Sequence, residues 1–181
     1  MQIRPLPLSG AFLLEIDRVA DERGFFARTW SREQLEQFGL SATVSECSIS
    51  YNKKNRTVRG LHFQEPPYAE VKLVRCQRGA VFDVIVDIRP DSQTFLSWYG
   101  TALSAENALS LYIPEGFAHG FQTLRDESEV HYMISAPYRP EAARTINWRD
   151  ADIGISWPYE SGITISQKDN AALGAHQVLG R

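Results

Sequence analysis

The chain has 181 residues, with 19 Lys and Arg against 22 Asp and Glu, so its formal net charge is −3. A chain of this length builds a core without disulfides or metals, and we expect one domain over residues 1–181. The mixed charge argues against a dedicated nucleic-acid binder, and no stretch approaches the roughly 18 apolar residues that cross a membrane. We therefore expect a soluble cytoplasmic protein with no nucleic-acid or membrane partner and with Cys47 and Cys76 reduced.

Most of the predicted elements are short strands. One helix is expected over residues 31–39, because Ser31 is a good N-cap and Gly39 a good stop. Apolar residues then alternate between Pro and Gly turns, which predicts strands over residues 70–75, 81–89, 109–113, 129–134 and 144–148. In the clearest strand, 81–89, alternation predicts one core face and one partly polar face. Residues 170–181 look like a loosely held tail. This pattern is typical of an all-β sandwich or barrel.

The four histidines are few enough to consider singly. His62 lies in Arg59-Gly-Leu-His-Phe-Gln, and His119 lies in the Pro- and Gly-punctuated turn Pro114-Glu-Gly-Phe-Ala-His-Gly. His131 precedes Tyr132 on a predicted strand, so the two side chains should face opposite sides. His176 falls in the predicted tail and should be solvated. Only His62 and His119 are expected to share a cavity.

The turn that ends in His119 is of the kind found in the second half of the cupin motif, a double-stranded β-helix or jelly roll. A metal-binding cupin adds a His-x-His and a Glu in its first half, because a catalytic metal needs about three protein ligands. The corresponding place here reads His62-Phe63-Gln64, without a second imidazole. We therefore expect no metal and no other cofactor, and a histidine that is free to move protons.

A series of motifs follows in a fixed order along most of the chain, from about Asp21 to Asp169. It comprises Arg59-Gly-Leu-His62, Asp83-Val-Ile-Val-Asp-Ile-Arg89, Gly116-Phe-Ala-His-Gly120, Glu129-Val-His-Tyr132, Ile155-Ser-Trp-Pro158 and Ser166-Gln-Lys-Asp169. This series resembles the dTDP-4-dehydrorhamnose 3,5-epimerase family. The resemblance implies a cupin-type jelly roll with short peripheral helices, a homodimer without metal, and epimerisation of a nucleotide-linked 4-keto-6-deoxyhexose.

The resemblance also implies catalytic roles. His62 would be the base, Tyr132 the acid on the opposite face of the sugar, and Lys72 the cation beside the enolate oxygen. Asp169 would hydrogen-bond His62 and fix its tautomer. These residue types suit the chemistry, since removing a proton beside a carbonyl needs a base, an acid across the ring and a cation at the oxygen.

Further positions match residues that bind the nucleotide in the family. Arg23 and Arg59 would contact the diphosphate, which guanidinium groups bind in forked geometry. Phe26 would pack against the nucleotide, and Tyr138 is a weaker candidate for stacking on the base. His119 and Lys168 match further substrate-binding positions.

Two departures concern the nucleotide base. Arg28 stands where the family commonly has Glu, and Cys47-Ser48-Ile49 stands where common members have Gln-x-Asn before the Arg-Gly-Leu-His motif. A guanidinium in place of a carboxylate reverses the recognition, because it only donates hydrogen bonds. A CDP- or GDP-linked sugar is therefore an alternative substrate to the dTDP-linked one.

Other functions stay open at this point. Single-carbon and double epimerases share these motifs, so inversion at C3, at C5 or at both fits equally well. A sugar-nucleotide 3,4-ketoisomerase would use similar acid–base groups on the same barrel. A non-catalytic sugar-binding cupin would not need His62, Lys72, Tyr132 and Asp169 together, and a metal-dependent oxygenase lacks its ligand set.

Overall fold

The computed structural model describes residues 1–180, and two antiparallel sheets face each other in it. In spatial order, the first sheet contains β1 (Gln2–Pro5), β2 (Phe12–Glu15), β10 (Ser110–Ile113), β7 (Lys72–Arg78), β12 (Ser128–Ile134) and β5 (Glu46–Asn52). The second contains β13 (Ala143–Thr145), β6 (Thr57–Gln64), β11 (Phe117–Thr123), β8 (Ala80–Asp87) and β9 (Trp98–Ser104). A short strand, β14 (Thr164–Ile165), pairs in parallel with β6.

The remaining elements are short. The strands β3 (Val19–Asp21) and β4 (Gly24–Phe26) form a separate hairpin, and the helices are α1 (Arg32–Gln37), α2 (Gln167–Asn170) and α3 (Ala175–Val178). The predicted all-β jelly roll with short peripheral helices is thus confirmed. The five predicted strands all form, although the last ends at Thr145, after which Ile146 and Trp148 are buried in a core.

Three apolar clusters form the core, one between the sheets and one on the outer face of each sheet. The cluster between the sheets joins Val74 and Leu111 of the first sheet to Ile85 and Phe121 of the second. The C-terminal third of the chain covers the outer face of the second sheet with Trp148 and other residues. Leu35 of helix α1 and Ala42 cluster with Ile3, Leu14, Leu73 and Tyr112 of the first sheet and cover part of its outer face. Burial of apolar surface on both sides of each sheet is the main favourable term in its stability.

Strand β8 departs from the prediction of one core face and one partly polar face. Val84 and Val86 contribute to the outer cluster, while Ile85 lies between the sheets. Asp83 and Asp87, on the same side as Ile85, are fully buried as well. Since β8 is a central strand covered on both faces, its carboxylates must find partners inside the protein.

The two ends of the chain also test local predictions. Helix α1 forms where expected, and the Ser31 hydroxyl accepts a hydrogen bond from the Gln34 amide. Residues 170–180 are held more closely than a loose tail would be. Ala175 is fully buried, its amide donates to the Asp150 carboxylate, and the Leu173 carbonyl accepts a hydrogen bond from the Asn147 amide at 2.8 Å. Among residues 1–180, no helix has the length and apolar character needed to cross a membrane.

Candidate active site

A cavity of about 350 Å³ opens between the two sheets, at the end where their apolar cluster stops. Its walls come from β5, β7 and β12 on one side and from β6, β11 and β13 on the other, with α2 beside them. Seven of the ten predicted site residues line it: Arg59, His62, Lys72, His119, Tyr132, Tyr138 and Lys168. Arg23, Phe26 and Asp169 do not.

A β-bulge on β6 brings Arg59 and His62 to the same face. His119 of β11 pairs with His62 of β6. Phe121 lies two residues after His119 on β11, but its partner Arg59 lies three residues before His62 on β6. The extra residue lies around Gly60, whose φ is +126°. A Cβ at Gly60 would stand 2.5 Å from the Gly120 Cα, so only glycine fits there. Strict alternation would have separated Arg59 from His62.

His62 is paired with a buried carboxylate. Its Nε2 lies 2.8 Å from Asp169 Oδ1, and the other Asp169 oxygen accepts the Gly60 amide at 3.3 Å. The Ser166 hydroxyl in turn accepts the Asp169 amide at 3.0 Å and caps α2. Burial by itself would raise the pKa of Asp169, but the hydrogen bond and charge of His62, with the hydrogen bonds of Gly60 and Ser166, together lower that pKa. With Nε2 held by Asp169, the other ring nitrogen, Nδ1, is left to accept a proton.

His119 has a similar partner but a different setting. Its Nε2 lies 3.0 Å from both oxygens of Asp83, and both residues are buried. The His119 ring meets the Tyr132 ring edge-on, with centroids 6.0 Å apart. Asp83, a central-strand residue, therefore orients His119, which in turn packs against Tyr132.

Tyr132 and His131 face opposite sides, as predicted. Tyr132 lines the cavity, opposite the wall that carries His62. Burial and the nearby Asp83 charge raise the pKa of Tyr132, which keeps its phenol protonated at neutral pH. His131 pairs instead with Arg75 on the outer face, where burial and the Arg75 charge lower the pKa of His131.

Lys72 is a buried cation with a matched anion. Its side chain forms an ion pair of 2.8 Å with Glu70, and its Nζ lies 3.5 Å from the carbonyl oxygen of His62. Gln64 donates to the second Glu70 oxygen at 2.9 Å. These contacts fix the Lys72 ammonium on the wall of the cavity, close to the backbone of the predicted base.

Two cations of the cavity have no carboxylate partner within residues 1–180. Arg59 donates to the Asn52 amide oxygen at 2.8 Å and makes no ion pair. Lys168, on α2, also lines the cavity, and the ion pairs of the described residues do not include it. Arg144, by contrast, is paired with Glu65 at 2.6 Å. Arg59 and Lys168 are thus the cations available to an anionic ligand.

Arg23 and Phe26 lie outside this cavity. Both belong to the β3–β4 hairpin, where Phe26 is 70% exposed and Arg23 pairs with Asp21. Arg28 follows the hairpin and contributes to a separate depression beside Met1 and Asp17. The structure therefore gathers the predicted catalytic residues together with Arg59, His119, Tyr138 and Lys168, but not the two hairpin residues.

The prediction that Cys47 and Ile49 stand at ligand-contacting positions is wrong, because both point away from the cavity on β5. Both side chains are exposed on the outer face, Ile49 by 61%. Glu46, Ser48 and Ser50 line the cavity instead. Glu46, Ser48 and Ser50, rather than Cys47 and Ile49, are therefore the residues of β5 that can contact a ligand in this cavity.

Sequence reasoning missed several lining residues, namely Glu46, Ser48, Ser50, Glu70, Gln64, Arg144 and Thr145. It also missed Asp83 as the partner of His119. Alternation along β8 was the available signal for Asp83, because it places this carboxylate on the same side as Ile85. Within residues 1–180, no three or more His, Cys, Asp or Glu side chains are grouped so as to hold a metal ion.

Comparison with known proteins places this geometry in a family. The family model described as dTDP-4-dehydrorhamnose 3,5-epimerase matches residues 5–177. The enzyme of that name from Escherichia coli (strain K12) is 43% identical over 170 residues, which cover 93% of this chain and 91% of that protein. The structure of the rmlC epimerase from Mycobacterium tuberculosis has a TM-score of 0.95 at 35% identity, over 99% of this chain and 91% of that one. The structure of RmlC from Legionella pneumophila in complex with dTDP-4-keto-L-rhamnose has a TM-score of 0.92 at 34% identity, over 98% and 94%. The chain belongs to the dTDP-4-dehydrorhamnose 3,5-epimerase family.

Proposed function

We propose that this chain inverts C3 and C5 of a dTDP-linked 4-keto-6-deoxyhexose through enolate intermediates. The observation that carries the proposal is the placement of His62 and Tyr132 on opposite walls of one cavity, on β6 and β12. A sugar ring between these walls presents one face to a base and the other to an acid. Inversion requires this arrangement, because the proton leaves one face and returns to the other.

The first step is proton removal. The C–H bond beside the 4-keto group breaks, its proton moves to Nδ1 of His62, and its electron pair becomes the enolate with its charge on the former carbonyl oxygen. Asp169, held ionised by its lowered pKa, stabilises the imidazolium that forms. The Lys72 ammonium, fixed by Glu70, supplies positive charge for the enolate oxygen from β7, on the wall opposite His62.

The second step returns a proton to the other face. The Tyr132 hydroxyl donates its proton to the enolate carbon, the carbonyl reforms, and the resulting phenolate is reprotonated from solvent while His62 releases its proton. The raised pKa of Tyr132 keeps the phenol protonated before the step. The same two groups serve C3 and C5 when the sugar ring turns between the two rounds.

The diphosphate of the substrate needs cations without protein partners. Arg59 and Lys168 meet that requirement, since neither is tied to a carboxylate of residues 1–180 and both line the cavity. A chain with a net charge of −3 can thereby present a locally cationic pocket to an anionic substrate.

We also propose a homodimer in which the β3–β4 hairpin of one copy reaches the cavity of the other. The family resemblance assigns Arg23 and Phe26 to the ligand, yet in one chain both lie outside the cavity. The hairpin also exposes Val19 by 71% and Phe25 by 55%, and such exposed apolar surface favours a partner. We expect a dimer in light scattering, and Arg23→Ala mixed with His62→Ala should regain activity through heterodimers that keep one intact cavity. Failure of this mixture to regain activity, with both variants folded, would contradict the shared cavity.

Deuterium exchange tests the epimerase mechanism directly. When the enzyme turns over a dTDP-linked 4-keto-6-deoxyhexose in deuterium oxide, the proton NMR signals at C3 and C5 should disappear as the inverted product forms. Loss of only one signal would mean epimerisation at that carbon alone. Absence of exchange at both carbons with the wild-type enzyme would overturn the proposal, and movement of the carbonyl to C3 would indicate a ketoisomerase.

A further inference from the structure

We propose that Glu70 is a specificity-determining residue, which accepts a hydrogen bond from the 3-hydroxyl of the hexose while Lys72 donates to the neighbouring 4-keto oxygen. This inference rests on the proposed function, because it deepens the recognition of the same 4-keto sugar. It gives Glu70 a contact with the substrate in addition to its ion pair with Lys72.

Glu70 and Lys72 form a nearly buried pair of charges at the cavity. The side chain of Glu70 is 11% exposed, that of Lys72 is 10% exposed, and both line the cavity. Charges buried to this extent lose most of their contact with water, so their remaining hydrogen-bonding groups need other partners. A ligand that fills the cavity is in a position to supply them.

Contacts within the protein leave part of the pair's hydrogen-bonding capacity unused. An ammonium group has three donors, and Lys72 directs one to Glu70 at 2.8 Å and one to the His62 carbonyl oxygen at 3.5 Å. A carboxylate has about four acceptor sites. Within residues 1–180, Glu70 uses one on Lys72 and one, on its other oxygen, on the Gln64 amide nitrogen. One donor of Lys72 and one lone pair on each Glu70 oxygen therefore remain for a ligand.

Gln64 holds the Glu70 carboxylate in a fixed position. Its side chain is buried, and its amide nitrogen donates to Glu70 at 2.9 Å and to the carbonyl oxygens of Tyr68 and Pro137 at 3.0 and 3.3 Å. Its amide oxygen accepts the Arg139 backbone amide at 2.6 Å. An acceptor fixed in this way can bind a donor of the substrate with little further loss of side-chain freedom.

The pair matches two adjacent groups of the proposed substrate. The 4-keto oxygen only accepts hydrogen bonds, whereas the hydroxyl on the adjacent carbon, C3, also donates one. Oxygens on adjacent ring carbons lie about one hydrogen-bond length apart, as do Lys72 Nζ and Glu70 Oε1 at 2.8 Å. A sugar whose 4-keto oxygen meets Lys72 therefore brings its 3-hydroxyl within reach of Glu70. A lysine alone would bind the keto oxygen without recognising the neighbouring hydroxyl.

The test compares dTDP-6-deoxyglucose, whose 4-hydroxyl can also accept from Lys72, with its 3-deoxy analogue. Calorimetry with the wild-type enzyme should show about tenfold tighter binding of the 3-hydroxy ligand, as expected for a hydrogen bond to a charged group. In Glu70→Ala the ratio of the two affinities should fall to within about twofold. Any change in Lys72 affects both ligands alike and cancels in this ratio, so a structural role of Glu70 would not move it.

Two controls confine the effect to the 3-hydroxyl and to Glu70. The 2-deoxy analogue should lose affinity by the same factor in the wild type and in Glu70→Ala. Glu65→Ala removes a carboxylate that pairs with Arg144 at 2.6 Å and does not line the cavity. This variant should keep the wild-type preference for the 3-hydroxy ligand.

The outcomes separate this inference from the proposed function. Equal wild-type binding of the 3-hydroxy and 3-deoxy ligands would overturn the role of Glu70, even where deuterium exchange at C3 and C5 is normal, and so would a preference that survives in Glu70→Ala. A wild-type enzyme that neither binds these ligands nor catalyses exchange would overturn the proposed function and this inference with it. The wild-type comparison needs no variant, so it decides the matter even if Glu70→Ala does not fold.

Discussion

Two histidine–aspartate pairs lie side by side in the cavity and differ in how far solvent reaches them. His62 and His119 are direct partners across β6 and β11, and in each the Nε2 atom meets a buried carboxylate at 2.8 or 3.0 Å. The His62 side chain is 44% exposed, whereas that of His119 is 4% exposed. The same pair of residue types therefore occurs once at an accessible surface and once in the interior.

The partners of the two carboxylates differ as well. Asp83 directs both oxygens at His119, so this pair is closed on itself. Asp169 divides its oxygens between His62 and the Gly60 amide at the bulge, which ties the orientation of the ring to the backbone that carries it. An exposed and oriented imidazole is suited to proton transfer. A buried imidazole, held by both oxygens of one carboxylate, is suited to fixing the position of its neighbours. Exposure and the second contact of the carboxylate, rather than residue type, distinguish His62, the proposed base, from the buried His119.

The largest effect should come from removing the accessible imidazole. His62→Ala leaves no base on this wall, so we expect kcat to fall about 10³-fold or more, in the upper part of the range for a positioned base. Deuterium exchange at C3 and C5 should fall by the same factor. The variant should unfold near the wild-type temperature, because His62 is partly exposed. Wild-type exchange in a folded His62→Ala enzyme would mean that the base lies elsewhere.

Tyr132→Phe should separate proton removal from inversion. The ring is kept, so packing against His119 survives, but the opposite wall loses its acid. We expect product formation to fall about 100-fold, while exchange of the substrate's own hydrogens with solvent falls less, because His62 still removes and returns protons on its own face. NMR in deuterium oxide measures both quantities in one sample. Equal loss of exchange and inversion would assign Tyr132 to proton removal as well.

Asp169→Asn should weaken the base without removing it. The amide cannot stabilise the imidazolium and favours the wrong tautomer of His62, so kcat should fall about 50-fold with little change in KM. Ser166→Ala is the matched control, because it removes the cap of α2 while leaving the carboxylate in place. If Ser166→Ala lowered kcat as far, the effect of Asp169 would be a matter of helix stability.

From the sequence, the residues that line the cavity can be predicted better than the directions in which their side chains point. Alternation was enough to place Tyr132 inside and His131 outside, since β12 is regular there. It was not enough for Arg59 and His62, because the bulge at Gly60 changes the face of every residue on one side of it. The same limit applied to Cys47 and Ile49, where a shift of one residue exchanges inward and outward faces.

Contacts between distant segments were beyond local patterns altogether. The burial of Ala175 depends on partners such as Asp150, about 25 residues earlier in the chain. The positions of Arg23 and Phe26 depend, in our proposal, on a second copy. Local alternation carries no information about either relationship, whereas the family resemblance supplied the roles of these hairpin residues without their location.

Asp83→Asn should affect stability more than the chemical step. The substitution leaves the buried His119 beside a neutral amide that replaces two accepting oxygens with one, and the lost interaction should cost about 2 kcal/mol of unfolding free energy. Urea unfolding followed by fluorescence measures this cost. Activity should remain within about tenfold of wild type, since His62 and Asp169 are untouched. A stable Asp83→Asn enzyme without activity would move His119 into the catalytic group.

The smallest effect should appear in the pH dependence of stability. The pKa of Asp169 is lowered in the folded protein by its contacts with His62 and Gly60, despite burial. A carboxyl group whose folded pKa is depressed contributes stability above its ordinary pKa of 3.8, and that contribution is lost as the pH falls through the folded pKa. The difference in unfolding free energy between wild type and Asp169→Asn should therefore be full at pH 5 and shrink on acidification.

Asp87 provides the comparison. Burial opposes its ionisation, but hydrogen bonds from Arg89, Ser92 and Thr94 lower its pKa to about 2. The corresponding difference between wild type and Asp87→Asn should therefore persist to lower pH. If the two differences vanished together near pH 4, the pKa of Asp169 would not be lowered in the folded protein, and His62 would not stabilise its ionised form.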